Sequence, residues 1–362
     1  MKMPLARNGS PEASEHPTIR RVEGLLQRAI AAGASDLHVG PDGDGGLARA
    51  RVDGFFRDMD VFDAHELPRV IARLKVLAGL PAFRTAEPQD GALVVATPSG
   101  DIDARLATIP VVSGEKAAVR FLDVAGPRGL DELGFGPGAL AVMSDMLRAT
   151  DGAVVVVGPC SSGKSTTLRA MARCIVEERG ACTHVASAED PVEQELASVT
   201  QVEVDSARGL DFPRALAALL RQDPQVLLIG EMRDPETARI GIEAALTGHL
   251  VLTSLHVGRI EDVPRRLEIL GVTPSLVSAA LQGVVNQRLM RRACASCRGT
   301  GCDACAGSGH RGRFALAEIA VARDGVLARV TPPLDVAAGE AVDAGLTTRA
   351  EMDRVLPCRG PA

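Results

Sequence analysis

The chain contains no Trp and no Tyr, and aromatic residues make up only 2% of it. Its cores must be built from Ala, Val, Leu and Ile, and few flat side chains are available for stacking the bases of single-stranded nucleic acid. Strong bulk charge of one sign is also missing. The net charge of −6 argues against non-specific attraction to nucleic acid or anionic lipid. No uninterrupted apolar run reaches about 18 residues, so no transmembrane helix is expected. Residues 1–17 lack the apolar stretch of a signal peptide; they are polar, contain Pro, Ser and Glu, and read as a disordered tail. The chain is accordingly expected in the cytoplasm. Thiols stay reduced there, so its eight Cys point to metal binding or chemistry rather than to disulfides.

What is present divides in two. A length of 362 residues with 46% hydrophobic content can fill two cores. Residues 18–126 open with Ile19, Val22, Leu25, Leu26, Ala29 and Ile30 at helical spacing, stopped by Gly33. Short alternating strands are expected at Asp36–Val39, Leu47–Val52, Ala92–Ala96, Ile102–Ala107 and Ala117–Leu122, with turns at Asp53-Gly54 and Pro98-Ser99-Gly100. A helix from about His65 to Leu80 is expected between the second and third of these strands. This is the pattern of an α+β domain. Residues 127–138, rich in Gly and Pro, read as a linker. Over 139–292, apolar strands at Ala153–Val157, Val226–Ile229 and Leu250–Leu255 alternate with helices near Gly163–Glu178, Phe212–Arg221 and Pro235–Leu246. That alternation predicts an α/β domain with a mainly parallel sheet covered on both faces. Residues 293–312 are rich in Cys and Gly, and residues 313–362 read as a short mixed tail.

The segment Gly158-Pro159-Cys160-Ser161-Ser162-Gly163-Lys164-Ser165, followed by Thr166, fits G-x-x-x-x-G-K-[ST]. It sits in the order strand, loop, helix that a phosphate-binding loop needs; a chance glycine-rich turn would lack that setting. The glycines let backbone N–H groups turn inward around phosphate oxygens, and the helix N-terminus adds partial positive charge. Lys164 can reach the β- and γ-phosphates, and the Ser165 hydroxyl can bind Mg²⁺. ATP with Mg²⁺ is the expected ligand. After the strand Val226–Ile229 comes Gly230-Glu231-Met232-Arg233-Asp234. Gly230 stands where an acid usually ends such a strand, so Glu231 is the candidate for orienting an attacking water. The alternative is an exposed acid after a core strand.

Cys294-Ala-Ser-Cys297 and Cys302-Asp-Ala-Cys305 place four thiols within twelve residues. Four soft sulfur ligands suit a closed, structural Zn²⁺ site, with an Fe–S cluster as the alternative. The two units repeat as C-x-x-C-x-G-x-G, and their glycines free the backbone to wrap a metal. Cys160, Cys174, Cys182 and Cys358 are scattered and are not expected to join the site.

With these motifs in place, the chain resembles the secretion ATPases of type II secretion systems and type IV pili, over about residues 33–318. Four signatures stand in order: the phosphate loop, Ala188-Glu189-Asp190-Pro191-Val192-Glu193, Leu228–Asp234 preceded by Leu220-Arg221-Gln222-Asp223-Pro224, and Leu246-Thr247-Gly248-His249 with Thr253-Ser254-Leu255-His256. The first half agrees too, at Ala34-Ser35-Asp36-Leu37-His38, Arg51-Val52-Asp53-Gly54, Pro88-Gln89-Asp90-Gly91 and Gly114-Glu115. The resemblance implies a PAS-like N-terminal domain and a RecA-like ATPase domain. It implies that Glu189 and Glu193 lie near the Mg²⁺ and γ-phosphate, and that His249 senses the γ-phosphate, with His256 a second candidate. Arg105 and Arg120 would complete the site of a neighbouring subunit, with Arg233 and Arg221 as secondary candidates. It further implies a homo-hexamer, peripheral at the cytoplasmic face of the inner membrane through a membrane platform protein, without direct nucleic-acid work. Three departures stand out: Cys160-Ser161-Ser162 inside the loop, Val257-Gly258 after His256, and Ala217 at a position that is often Arg. The extra N-terminal domain of many type II members is not expected here. Only four residues separate the two Cys pairs, where family members often have a longer insertion. Pilus-retraction members lack the Cys pairs, which favours assembly or secretion. A non-hydrolysing regulatory ring and a DNA translocase or conjugation-type ATPase are the rival readings.

Overall fold

The computed structural model describes residues 16–98, 100–122, 126 and 128–357. Most of the expected N-terminal tail, and Cys358, lie outside the described residues. The chain divides into two compact units, residues 1–126 and 127–362.

The first unit runs α1 (Pro17–Ala31), β1 (Ala34–Asp42), β2 (Gly45–Val52), β3 (Phe55–Phe62), α2 (Glu66–Leu77), β4 (Gln89–Thr97), β5 (Gly100–Val111) and β6 (Gly114–Phe121). The strands form one antiparallel sheet in the order β3-β2-β1-β6-β5-β4. Helix α1 buries Val22, Leu25, Leu26 and Ala29, the one-sided stripe its spacing predicted, and α2 buries Val70, Ile71 and Leu74 beside it against the sheet. Strand β3 has no counterpart in the sequence reading, so α2 follows the third strand and precedes the fourth. The reason is physical: β3 is an edge strand whose only buried residue is Phe62, and it therefore lacks the alternation that marks a half-buried strand. Asp53 and Gly54 both take positive φ, 50° and 85°, as the tight β2–β3 hairpin requires.

The second unit contains α3 (Pro137–Leu147), β7 (Gly152–Val157), α4 (Lys164–Arg179), β8 (Val185–Glu189), β9 (Val199–Glu203), α5 (Phe212–Leu219), β10 (Val226–Ile229), α6 (Pro235–Leu246), β11 (Leu250–Leu255), α7 (Asp262–Ile269), α8 (Pro274–Ala280), β12 (Leu281–Ala293), β13 (His310–Arg323), β14 (Val326–Arg329), α9 (Leu334–Asp343) and α10 (Arg349–Val355). Its eight strands lie in the order β14-β13-β12-β7-β11-β10-β8-β9. From β12 to β9 the neighbours are parallel, and β13 and β14 add an antiparallel edge. Strands β7, β8, β10 and β11 are buried along their whole length, which explains their unbroken apolar sequence. Apolar cores cover both faces. The residues read as a tail from 313 onward continue β13, which pairs with β12 from Gly283 to Ala293. They also supply α9 and α10. The Cys-rich stretch is the connection between these two long strands.

Candidate functional site

Strand β7 delivers the chain into the phosphate loop, and α4 takes it out at Lys164. Gly158, Ser161 and Gly163 have φ of 148°, 61° and 89°. These left-handed positions curl the loop, and the first turn of α4 presents N–H groups without helical partners on its open side. Lys164 is buried, and its ammonium donates to the carbonyls of Gly158 and Pro159 at 3.0 Å each. Burial lowers its pKa, and neighbouring Cys160 and Glu231 act in the opposite direction. Ser165 and Thr166, in the same turn, are exposed, as are Cys160 and Ser161, while Ser162 is buried.

The carboxyl ends of the parallel strands meet at this loop, the place where open α/β sheets bind ligands. His256 follows β11, and Glu231 follows β10. His256 Nε2 lies 3.1 Å from Glu231 Oε1. His256 Nδ1 lies 3.5 Å from Lys164 Nζ and 3.8 Å from Cys160 Sγ. An ammonium has only donors, so Nδ1 accepts and Nε2–H donates to Glu231. The other Glu231 oxygen accepts from Arg233 Nε at 2.8 Å, and Arg233 reaches Asp190 at 3.8 Å. Glu189 ends β8. Its buried carboxylate accepts from Ser187 Oγ at 2.8 Å and Gln201 Nε2 at 3.0 Å. Glu193 accepts from Arg169 of α4 at 2.6 Å.

His249, expected to take precedence over His256, lies apart from this cluster in the strand register. His249 precedes β11, whose Leu250 pairs with Gly152 at the start of β7. The phosphate loop lies at the far end of β7, roughly 20 Å away at about 3.3 Å per residue. There His249 Nδ1 lies 3.1 Å from Ala244 O and lines a cleft of about 650 Å³ with Arg214, Ala217, Glu236 and Arg239. Arg221 precedes β10 and belongs to that same end, whereas Arg233 belongs to the Glu231 cluster.

In the first unit, Arg105 and Arg120 face each other across β5 and β6. Arg120 also pairs across β1 with Asp36, which pairs with Arg51 of β2. The result is a row, Arg51, Asp36, Arg120, Arg105, on the sheet face away from the helices. Asp36 accepts from Arg120 Nε at 3.1 Å and lies 3.9 Å from Arg51 Nε, offsetting part of the repulsion between like charges set side by side.

The four cysteine sulfurs all lie within 4.8 Å of one another. The separations of Cys294 from Cys302, Cys297 from Cys305, and Cys302 from Cys305 are 3.9, 3.8 and 3.8 Å. A tetrahedron with Zn–S arms of about 2.3 Å has edges of about 3.8 Å, so the set fits a four-thiolate zinc site. The sequence repeat becomes a pseudo-twofold fold. The N–H groups of Gly301 and Gly309 donate to Cys297 and Cys305 at 3.2 Å each. Gly301 leaves no room for a Cβ against Gly307, and Gly309 none against Gly299. Burial opposes ionisation of Cys305, yet the N–H groups of Cys302 and Gly309 outweigh it and bring its thiol down to about 6. The loop is tied to the last helix. Ala293 N–H donates to Leu346 O at 2.9 Å, and buried Glu351 of α10 accepts from Arg291 N, Nε and Nη2 at 3.0, 3.0 and 2.7 Å.

Two residues of this site carry no signal in a motif reading. Gln287 and Arg288 of β12 hold the phosphate loop and the turn after His256: Gln287 donates to Ser162 O, and Arg288 Nη2 donates to Gly258 O at 3.0 Å. They sit in a strand of mixed apolar and polar residues, Leu281–Ala293, with nothing in their spacing to distinguish them.

The family model described as Type II/IV secretion system protein matches residues 11–339. The type II secretion system protein HxcR of Pseudomonas aeruginosa is 38% identical over 317 residues, covering 85% of this chain and 67% of its own. The type IV pilus assembly ATPase PilB of Thermus thermophilus is 36% identical over 342 residues, covering 86% of this chain and 38% of its own. The chain thus spans two thirds of one relative and well under half of the other. Among solved structures, the Legionella pneumophila ATPase DotB superposes with a TM-score of 0.72 over 91% of this chain and 93% of its own, at 18% identity, a likeness of fold.

Proposed function

Since the chain belongs to the type II/IV secretion system protein family, we propose that it hydrolyses ATP to power protein secretion or the assembly of a type IV pilus-like filament. The convergence of Lys164, Glu231 and His256 on one phosphate loop carries this reading. Lys164 neutralises phosphate charge. Ser165 and the Glu189 carboxylate would hold Mg²⁺ and its water. Glu231 orients the attacking water, and His256 responds to the γ-phosphate. Arg105 and Arg120 act on the site of the next subunit in a homo-hexamer, where an Arg supplied between subunits would stabilise transition-state charge. The first unit is read as PAS-like, and Cys294, Cys297, Cys302 and Cys305 as the ligands of one structural Zn²⁺. The ring would work at the cytoplasmic face of the inner membrane against a platform protein.

The test uses two sets of proteins. Glu231→Gln should keep ATP binding and lower turnover at least about 10²-fold, the low end for a positioned general base. Mixing Arg105→Ala with Lys164→Ala subunits should restore some hydrolysis, because mixed interfaces can pair an intact loop with an intact Arg. Near wild-type turnover by Glu231→Gln removes its catalytic role. No rescue in mixed rings shown to form removes the arrangement between subunits.

A further inference from the structure

Strand β12 runs past the end of β7. The two pair in parallel as far as Asn286 and Val157. On that side Gln287 is therefore the first residue of β12 to lie beside the phosphate loop instead of beside β7, while its other side still pairs with Ala317 of β13. Its side chain is 1% exposed, and both ends of its amide are engaged. Nε2–H donates to Ser162 O at 2.8 Å, and Oε1 accepts from Thr167 Oγ1 of α4 at 2.8 Å. The loop is fitted to this residue: a Cβ on Gly163 would meet the side-chain Nε2 at 2.9 Å, and one on Gly158 would meet the Gln287 backbone carbonyl at 2.5 Å.

A trans peptide is planar, so a carbonyl and the following N–H point in opposite directions. Drawing Ser162 O toward β12 turns the Gly163 N–H away from β12 and into the loop. We propose that Gln287 is a positioning residue for phosphate binding, one that fixes the Gly163 N–H as a phosphate donor before ATP arrives. Without the amide, the peptide between Ser162 and Gly163 is free to rotate and the anion loses a donor. Gln287 touches no reacting atom, and the proposal rests on the reading of this loop as an ATP site.

Three substitutions in the full chain test it. Gln287→Met keeps the volume and removes both hydrogen bonds. Gln287→Glu keeps the acceptor for Thr167 and sets a carboxylate against Ser162 O. Thr167→Val removes only the bond that aligns the amide. Calorimetry with Mg-ADP should show Kd rising about tenfold in Gln287→Met, equivalent to roughly 1.4 kcal/mol. The rise should be larger in Gln287→Glu and about threefold in Thr167→Val, as expected of one lost hydrogen bond at a step removed. KM for ATP should follow Kd, with kcat changed by less than about threefold. A folded Gln287→Met protein with unchanged Kd overturns the proposal, and so does a fall in kcat at constant KM. If Gln287→Met does not fold, Thr167→Val decides, and an unchanged Kd there overturns it. A wild-type chain that does not bind Mg-ADP removes the ATP reading itself, a failure distinguishable from the others.

Discussion

Two glycine-rich loops leave the large sheet, one after β7 and one between β12 and β13, and they use the same backbone groups in opposite ways. In the loop of Gly158–Ser165 the N–H groups at the start of α4 have no helical partners, and Lys164 is parked on two carbonyls of its own loop. In the loop of Cys294–Gly309, the N–H groups of Gly301, Cys302 and Gly309 are bonded to the loop's own sulfurs. One loop therefore keeps its binding groups in reserve for an anion that comes and goes. The other turns its N–H groups inward, onto the sulfurs of its own cysteines. A count of glycines does not separate the two; where the N–H groups point does.

The strongest test of this contrast is Cys297→Ser, which should bring metal content from about one zinc per chain to none, measured by elemental analysis. If a metal holds the four clustered cysteines together, as proposed, most of the variant should be lost during folding. Whatever folds should keep its affinity for Mg-ADP. Metal-free wild-type protein of normal stability would end the comparison.

A smaller effect should separate the two ends of the parallel sheet. His256→Ala should lower turnover by about 10²-fold, as for loss of a positioned catalytic group. His249→Ala should leave turnover within about threefold. The reverse order would place the γ-phosphate contact at the wrong end of β11, and steady-state hydrolysis measures both.

The smallest expected effect concerns the anchor of the cysteine loop. Burial alone would raise the pKa of Glu351, but hydrogen bonds from Arg354 and Arg291 overcome it and hold the carboxyl at about 2, against 4.5 for an exposed Glu. A carboxyl depressed in the folded state contributes its full stability above the unfolded pKa and loses it as pH falls toward the folded value. That contribution is on the order of 3 kcal/mol. Glu351→Gln should lose it at neutral pH, and the gap between variant and wild type should close from about pH 4.5 to about pH 2. Denaturant melts across that range measure it, and a gap that stays constant would remove Glu351 from the anchor.

Much of this was legible in the sequence, for identifiable reasons. Fully buried strands such as β7 and β11 announce themselves as apolar runs, and the phosphate loop by its glycines and Lys164. Strand β3 was invisible because an edge strand leaves no alternation. Which of His249 and His256 faces the loop was not legible because both flank the same strand, and only the direction of β11 relative to β7 tells which end faces the loop. Gln287 was silent because its importance comes from a neighbour 125 residues away in the chain, Ser162. The repeat of C-x-x-C-x-G-x-G, by contrast, was read from sixteen letters and reappears as the reciprocal packing of Gly301 on Gly307 and Gly309 on Gly299.

Strand β12 also works as a ruler. Between Gln287 at the phosphate loop and Cys294 at the thiolate cluster it spans roughly 23 Å at about 3.3 Å per residue. Arg291 bonds α10 partway along, and an irregularity in register at Arg291–Ala293 already takes up the one adjustment recorded there. A slip of a single residue would turn every later side chain to the opposite face. The length of this stretch is thus fixed by three separate partners at once, while residues 298–301 between the cysteine pairs bond within their own loop and meet the rest of the unit where Gly299 packs on Thr348. Over generations, insertions and deletions should accumulate in the second stretch and be purged from the first.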